Sequence, residues 1–378
     1  MEKQTIGITS KETAEKLPIF FIIGRERSGT SLLWSLLDAH PEINIPSESP
    51  FILKLYGKYH RIKYWDQKTL LKFAKELHLI SWKFDYWRLD EARLKEDLLK
   101  CQGKVTFQTI CKVVLYNYLS IYKKNEIKVL GDKNPVYSLW IKRLLVLFPE
   151  AKYIHIIRDY RDHLNSMIKV GFLANIVPDI ILKWKYSARK LYEYRNKYPN
   201  NFISIRYEDL VSNKEVTMKK ITNFIGVEFH PEVFDFYKNK EQYIEQFSEE
   251  FINHFHQALL NPIDTININK WKNELSPFNT QTANTIVSKW GERYGYHQTF
   301  KKSSLKIHIW LLPRLALVHF YHLYQDILRL LPYSVASKIL KIIPDLPFIY
   351  YNLFPKDKKR FSYDIIKENN PDKFTHSK

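Results

Sequence analysis

The chain has 378 residues, 45% of them hydrophobic, enough for one large domain or a domain with an appendage. Lysine and arginine exceed aspartate and glutamate by 59 − 40 = 19, which calls for an anionic partner: nucleic acid, a membrane surface or a phosphorylated small molecule. Cys101 and Cys111 form neither a disulfide framework nor a metal-ligand pattern, the opening MEKQTIGITSKETAEK lacks the apolar core of a signal peptide, and no spanning helix is expected. Reduced thiols and a cytoplasmic location are the resulting expectation.

In chain order, four short apolar runs read as buried parallel strands: 19–23 (IFFII), 127–130 (IKVL), 152–157 (KYIHII) and 202–206 (FISIR). Helical periodicity lies between them, as in SLLWSLLDAH and PVYSLWIKRLLVLF. This alternation predicts an α/β fold with a central parallel sheet in three layers, and ligands bind such sheets beyond the carboxyl ends of the strands. Residues 45–125, rich in aromatics and lysine, read as a mostly helical insertion capping the sheet. From 299 the chain becomes apolar, aromatic and basic, with 14 Lys/Arg against 6 Asp/Glu over residues 300–378, a net +8. That extension reads as a helical appendage, packed on the core, or as a surface that rests on the inner face of a membrane or on a greasy acceptor.

The loop after the first strand reads GRERSGTS, with Gly24, four residues, Gly29 and then Thr30-Ser31. Strand, glycine loop and helix start make an anion cradle of backbone N–H groups and a helix dipole. It is nearly the nucleotide P-loop, but Thr30 stands where the lysine belongs, which argues against a kinase or NTPase. A lysine is supplied from elsewhere: the second strand runs out into GDKNP, which puts Lys133 on another loop, held at a helix N-terminus with Asn134 as the cap and Pro135 in the first turn. The third strand ends in Arg158, Asp159 begins the next helix, and Ser166 follows two turns on, so Arg158 and Ser166 can grip a further phosphate. Arg161 and Asp162 read as a solvated ion pair.

Taken together, these residues resemble the PAPS-dependent sulfotransferase family, with its tyrosylprotein- and heparan-sulfotransferase-like branches. The resemblance rests on GRERSGTS, LLDAHPEI, GDKNP, LFPEAKYIHIIRD, RDYRDHLNS, RYEDLV and NKWKNELSP, which keep the family's order over residues 18–298. It implies a P-loop-like fold and transfer of a sulfuryl group from PAPS, leaving 3′-phosphoadenosine 5′-phosphate, without a metal. By the same resemblance Glu48 is the base that deprotonates the acceptor hydroxyl, and Lys133 stabilises the leaving phosphate and bridging oxygen. Arg27, Ser28, Gly29, Thr30 and Ser31 hold the 5′-phosphate. Arg158 and Ser166 hold the 3′-phosphate, Tyr207 lies near the adenine or phosphate, and Lys270 closes over the donor. Rival bases are Glu42, His60 and His155.

The pattern departs from the family in three places. Glu26 replaces the usual proline before Arg27, only Lys169 stands near a second family arginine, and no serine aligns before Lys270 with the one that assists the transition state. Because aromatics make up 15% of the chain and the C-terminal region is apolar and basic, the acceptor is read first as a sterol- or lipid-like alcohol, then a glycan, then protein tyrosine. A non-catalytic nucleotide-binding protein is the remaining alternative. Nothing resembles a nucleic-acid module.

Overall fold

The computed structural model describes residues 11–80, 84, 86–170, 175–247, 252, 256–298, 304–328, 339 and 345–360. The chain divides into two compact units, one of residues 1–158 with 190–265 and one of 159–189 with 266–378.

The first unit is built on strands β1 (Ile19–Gly24), β2 (Ile43–Asn44), β5 (Val129–Lys133), β6 (Lys152–Ile157) and β7 (Phe202–Arg206), all parallel in the order β2-β5-β1-β6-β7. A separate antiparallel ribbon joins β3 (Tyr64–Trp65) to β4 (Gly103–Lys104). Every residue of β1 is buried, because successive side chains of a central strand enter two different cores. Phe20 and Ile22 pack with Leu33, Trp34, Leu36 and Leu37 of helix Thr30–Asp38. Ile19, Phe21 and Ile23 pack with Tyr137, Ile141 and Leu144 of helix Tyr137–Leu147 on the other face. The chain leaves β1 toward β2 on one side and leaves β5 for β6 on the other, so the connections diverge where β1 and β5 lie side by side. That divergence makes the crevice in which open α/β sheets bind ligands.

Three of the four expected strands match closely. The second is displaced: it starts at Val129 and runs through Asp132 to Lys133, which is in register with Ile22. Polar residues remain in the strand because Asp132 finds internal partners, accepting from Tyr137 Oη at 2.7 Å and from Asn134 Nδ2 at 2.7 Å. Strand β2 has only two residues and carries no sequence signal of its own.

Between β2 and β5 the insertion is helical as expected, with helices Phe51–Tyr59, Gln67–Ile80, Glu91–Leu99 and Phe107–Tyr116. Its aromatics are largely core. Tyr59 stacks on Trp65 with centroids 5.5 Å apart, and Phe73 meets Tyr59 edge-on at 5.2 Å. Cys101 and Cys111 are buried thiols in the same core.

The second unit contains helices Tyr160–Val170, Trp271–Glu274, Pro277–Val287, Leu305–Leu328 and Leu346–Leu353, with residues 177–189 also helical. Ile176, Val318, Leu346 and Tyr350 form one of its cores. Arg314 forks onto Asp357 at 2.8 and 3.2 Å, and His322 meets Asp179 at 2.7 Å. The appendage expected from residue 299 is thus helical over 305–328 and 346–353; residues 299–303, 329–338, 340–344 and 361–378 lie outside the described residues. Among the described residues no helix is long and apolar enough to cross a membrane.

Helix Thr30–Asp38 ends on a buried charge. Lys124 Nζ bonds the carbonyl of Asp38 and donates to those of His40 (3.1 Å) and Ile43 (2.6 Å), and it pairs with Asp38 Oδ1 at 3.3 Å. Burial pushes the Asp38 carboxyl up and the Lys124 ammonium down, and their contact opposes both shifts. Lys124→Met leaves Asp38 uncompensated and is expected to cost about 3–5 kcal/mol in urea unfolding. Adding Asp38→Leu should recover part of that loss.

Candidate active site

The loop after β1 is shaped by two glycines and one strained arginine. A Cβ on Gly24 would lie 2.4 Å from the Ile156 carbonyl oxygen, so only glycine lets β1 run this close to β6. Arg27 adopts φ 61° and Gly29 φ 92°, a reversal that turns the loop back onto the helix start. Gly29 is the N-cap of helix Thr30–Asp38 and offers no side-chain cap. The first-turn amides, including those of Thr30 and Ser31, therefore lack intrahelical acceptors and face the positive end of the dipole. The Ser28 hydroxyl is buried beside them, with no hydrogen-bond partner among the described residues. These donors are of the kind an anion would use. Glu26, the acidic residue beside this cradle, is neutralised by Arg25 at 2.6 Å.

Cations close the cradle. Arg158 Nη1 donates to the Arg27 carbonyl at 3.1 Å, and its guanidinium lies 4.7 Å from the centroid of the Tyr207 ring. Tyr207 packs so near the loop that a Cβ on Gly29 would sit 2.5 Å from its Cδ2. Burial, and then the neighbouring Arg158, hold the Arg27 guanidinium below its usual range. Two like charges gathered in this way favour a multiply charged anion.

Lys133 reaches the same place from the end of β5. It is 2% exposed, and Nζ donates to Glu48 Oε2 at 3.1 Å and to Ser31 Oγ at 3.5 Å, with the Trp34 ring centroid 5.8 Å away. Glu48 is held through its neighbours. Trp87 Nε1 donates to the Ser47 carbonyl at 2.8 Å, and Asn134 Nδ2 to the Ser49 carbonyl at 3.1 Å. Asn134 is therefore a strut between Asp132 and Ser49; the helix cap expected of it is absent, since the N-cap is Val136.

His256, which no local signal singles out, joins this group. Its Nε2 is 3.4 Å from Ser31 Oγ and its Nδ1 2.6 Å from Tyr243 Oη. Burial holds the Tyr243 phenol well above its ordinary value, so it acts as a hydroxyl. The segment carrying His256 is 225 residues from Ser31 and matches no motif, so only the tertiary fold reveals it.

The rival bases are engaged elsewhere. Glu42 pairs with Lys128. His60 bonds the Tyr56 carbonyl at 2.6 Å and stacks on the Tyr56 ring. His155 is buried in β6 beside Ser204, and burial lowers it to about 3.

Ser166 and Lys270 belong to the second unit. Ser166 is half-buried on helix Tyr160–Val170, and Lys270 is the N-cap of helix Trp271–Glu274. The peptide around Lys270 is tied down by Asp162, whose carboxylate accepts Asn269 N–H at 2.7 Å and Trp271 N–H at 2.9 Å. Arg161 chelates Asp159 at 2.9 and 2.6 Å and lies 4.0 Å from the centroid of the Trp271 ring. The solvated ion pair expected of Arg161 and Asp162 is thus corrected: both are buried, and each serves a different partner. Asp159 does start the helix, accepting Arg161 N–H at 2.9 Å. Lys169 is paired with Glu274 at 2.6 Å.

The profile described as Sulfotransferase family matches residues 18–231, more than half of the chain. The chain belongs to the sulfotransferase family. Protein-tyrosine sulfotransferase 1 of Danio rerio is 23% identical to this sulfotransferase over 288 residues, covering 74% of the chain and 72% of the relative. Protein-tyrosine sulfotransferase 2 of Gallus gallus is 26% identical over 224 residues, 57% of the chain and about half (52%) of the relative's length. The sulfotransferase domain from the Synechococcus PCC 7002 olefin synthase shares the fold, with a TM-score of 0.51 at 20% identity over 74% of this sulfotransferase and 95% of that domain.

Asp132 gives the site of this sulfotransferase a pH-dependent support. Burial lifts its carboxyl from 3.8 to about 7, against the pull of Tyr137, Asn134 and Lys133. Between those two values the folded chain holds a proton that the unfolded chain has released, so stability falls as pH rises through the interval. Asp132→Asn should flatten that part of the curve in urea unfolding at about pH 5 and pH 8. Loss of the Asn134 hydrogen bond would offset the whole curve without changing its slope.

Proposed function

We propose that this chain transfers a sulfuryl group from PAPS to the hydroxyl of a tyrosine side chain in a protein or peptide. The observation that carries the reading is Lys133, a buried ammonium held 3.1 Å from Glu48 beside a lysine-free anion loop. When bound, PAPS supplies the sulfuryl group and a phosphate leaving group. The loop amides, Ser28 Oγ and Arg27 bind its 5′ end, and Arg158, backed by Tyr207, takes the extra phosphate that distinguishes this donor from ATP. Ser166 and Lys270 keep, from motif resemblance alone, the donor contacts assigned to them.

Glu48 accepts the proton of the incoming hydroxyl as its oxygen attacks sulfur in line. Neutralising Glu48 releases Lys133 from its counter-charge at the moment when negative charge grows on the departing oxygen. The ammonium then serves that oxygen. Ser31, between Lys133 and His256, holds the two basic groups in one hydrogen-bonded row, and Tyr243 fixes the imidazole.

Tyrosine now stands ahead of the sterol- or lipid-like alcohol favoured by composition. The relatives compared above are named for protein tyrosine. Many of the aromatics that suggested a greasy acceptor are consumed in the insertion's own core. A net charge of +19 favours acceptors flanked by acidic residues.

Two measurements test this. Labelled donor offered with acidic tyrosine peptides, sterols, lipids and oligosaccharides should mark the peptides; label on a sterol or glycan alone would overturn the acceptor. Lys133→Ala and Glu48→Gln should each lower turnover about a hundredfold or more while 3′-phosphoadenosine 5′-phosphate still binds. Undiminished turnover in Glu48→Gln would remove that residue from the chemistry.

A further inference from the structure

Helix Leu305–Leu328 buries one side, through Ile307, Leu311, Arg314, Val318 and Leu328. Its other side exposes Leu305, Ile309, Leu312, Phe320, Leu323 and Ile327, between 52% and 74% of each residue uncovered. Scattered apolar residues on a surface need no explanation. These are not scattered. Counted from Ala316, they stand four, seven and eleven residues away in each direction, spacings that keep a helix face in line. The stripe therefore reads as apolar at the same steps whether followed forward or backward, with its smallest residue at the midpoint.

A pattern that reads alike in both directions is what an isologous contact requires, since each copy must present the same patch to the other in reverse. A membrane surface has no need of it. Placed antiparallel about a two-fold axis at Ala316, two such helices bring Leu305 opposite Ile327, Ile309 opposite Leu323 and Leu312 opposite Phe320. The alanine lets the backbones approach where they cross. On one edge of the stripe stand His308 and Asp326, five helical turns apart. The same pairing turns each toward the other residue of the second copy. The six side chains leave roughly 700 Å² uncovered per copy, near the ~800 Å² per partner of a standard interface. Phe348 and Leu353, each 60% exposed, add to the apolar surface of the unit.

We propose that the stripe on helix Leu305–Leu328 is a self-association surface, occupied by the same helix of a second copy of this chain in antiparallel orientation. The surface lies outside residues 18–231 matched by the family profile, so the proposal stands apart from the reading of the active site.

Sedimentation of the full chain at tens of micromolar should show a dimer. Leu312→Glu with Phe320→Glu should raise its dissociation constant about a hundredfold or more, because two-fold symmetry repeats each substitution. The circular dichroism spectrum and affinity for 3′-phosphoadenosine 5′-phosphate should be unchanged, which separates loss of contact from loss of fold. Both native thiols are buried, so an introduced cysteine reports geometry. Ala316→Cys should form a disulfide-linked dimer under mild oxidation. Leu305→Cys should link only when mixed with Ile327→Cys. A monomer with no linkage at position 316 overturns the proposal, whether or not it binds anionic phosphatidylserine vesicles, and so does linkage of Leu305→Cys to itself.

Discussion

A positive charge is buried at the carboxyl end of β5, and the first unit is arranged to tolerate it. Lys133 has 2% of its surface exposed, so its ammonium needs a counter-charge from protein or ligand. Glu48 supplies one and Ser31 a second contact. Directly before it in the strand, Asp132 is buried completely and gathers Tyr137 and Asn134. Asn134 in turn reaches the carbonyl after Glu48. The strand end, the helix that follows and the segment bearing the carboxylate are thus one hydrogen-bonded assembly, and its charge balance changes when Glu48 takes up a proton.

The anion cradle accepts a different compromise. Arg27 is held in a left-handed conformation that a side chain normally avoids, at a cost on the order of 1 kcal/mol. Its carbonyl is thereby turned to Arg158. Tyr207 fills the space that Gly29 leaves and offers its ring face to the same guanidinium. Loop, β6 end and β7 end meet through these contacts, which bring residues far apart in sequence to one cradle.

The central strand was legible because both of its faces are apolar, and the cradle because glycine spacing at a strand end has few other meanings. Lys133 was legible as the lysine missing from the first loop, although it ends β5 and does not lie in the loop after it. What misled was polarity. Asp132 has the polarity of a loop beyond β5 although it lies in the strand with its carboxyl held by hydrogen bonds, and Arg161 with Asp162 looked like surface although both are buried. Side chains whose partners are distant in sequence leave no local trace, and His256 is the plainest case. Composition is a weak guide to the acceptor for the same reason: aromatic content does not distinguish a ring packed inside from one presented to a ligand.

The carbonyls on either side of Glu48 are each anchored, one by Trp87 from the insertion and one by Asn134 from the sheet. A carboxylate moored at both ends keeps its station while the outer surface of the insertion drifts. For the proton transfer proposed above, substitutions on that outer surface would leave the position of Glu48 unchanged. An alteration at Trp87 would release one of its two moorings and disturb it.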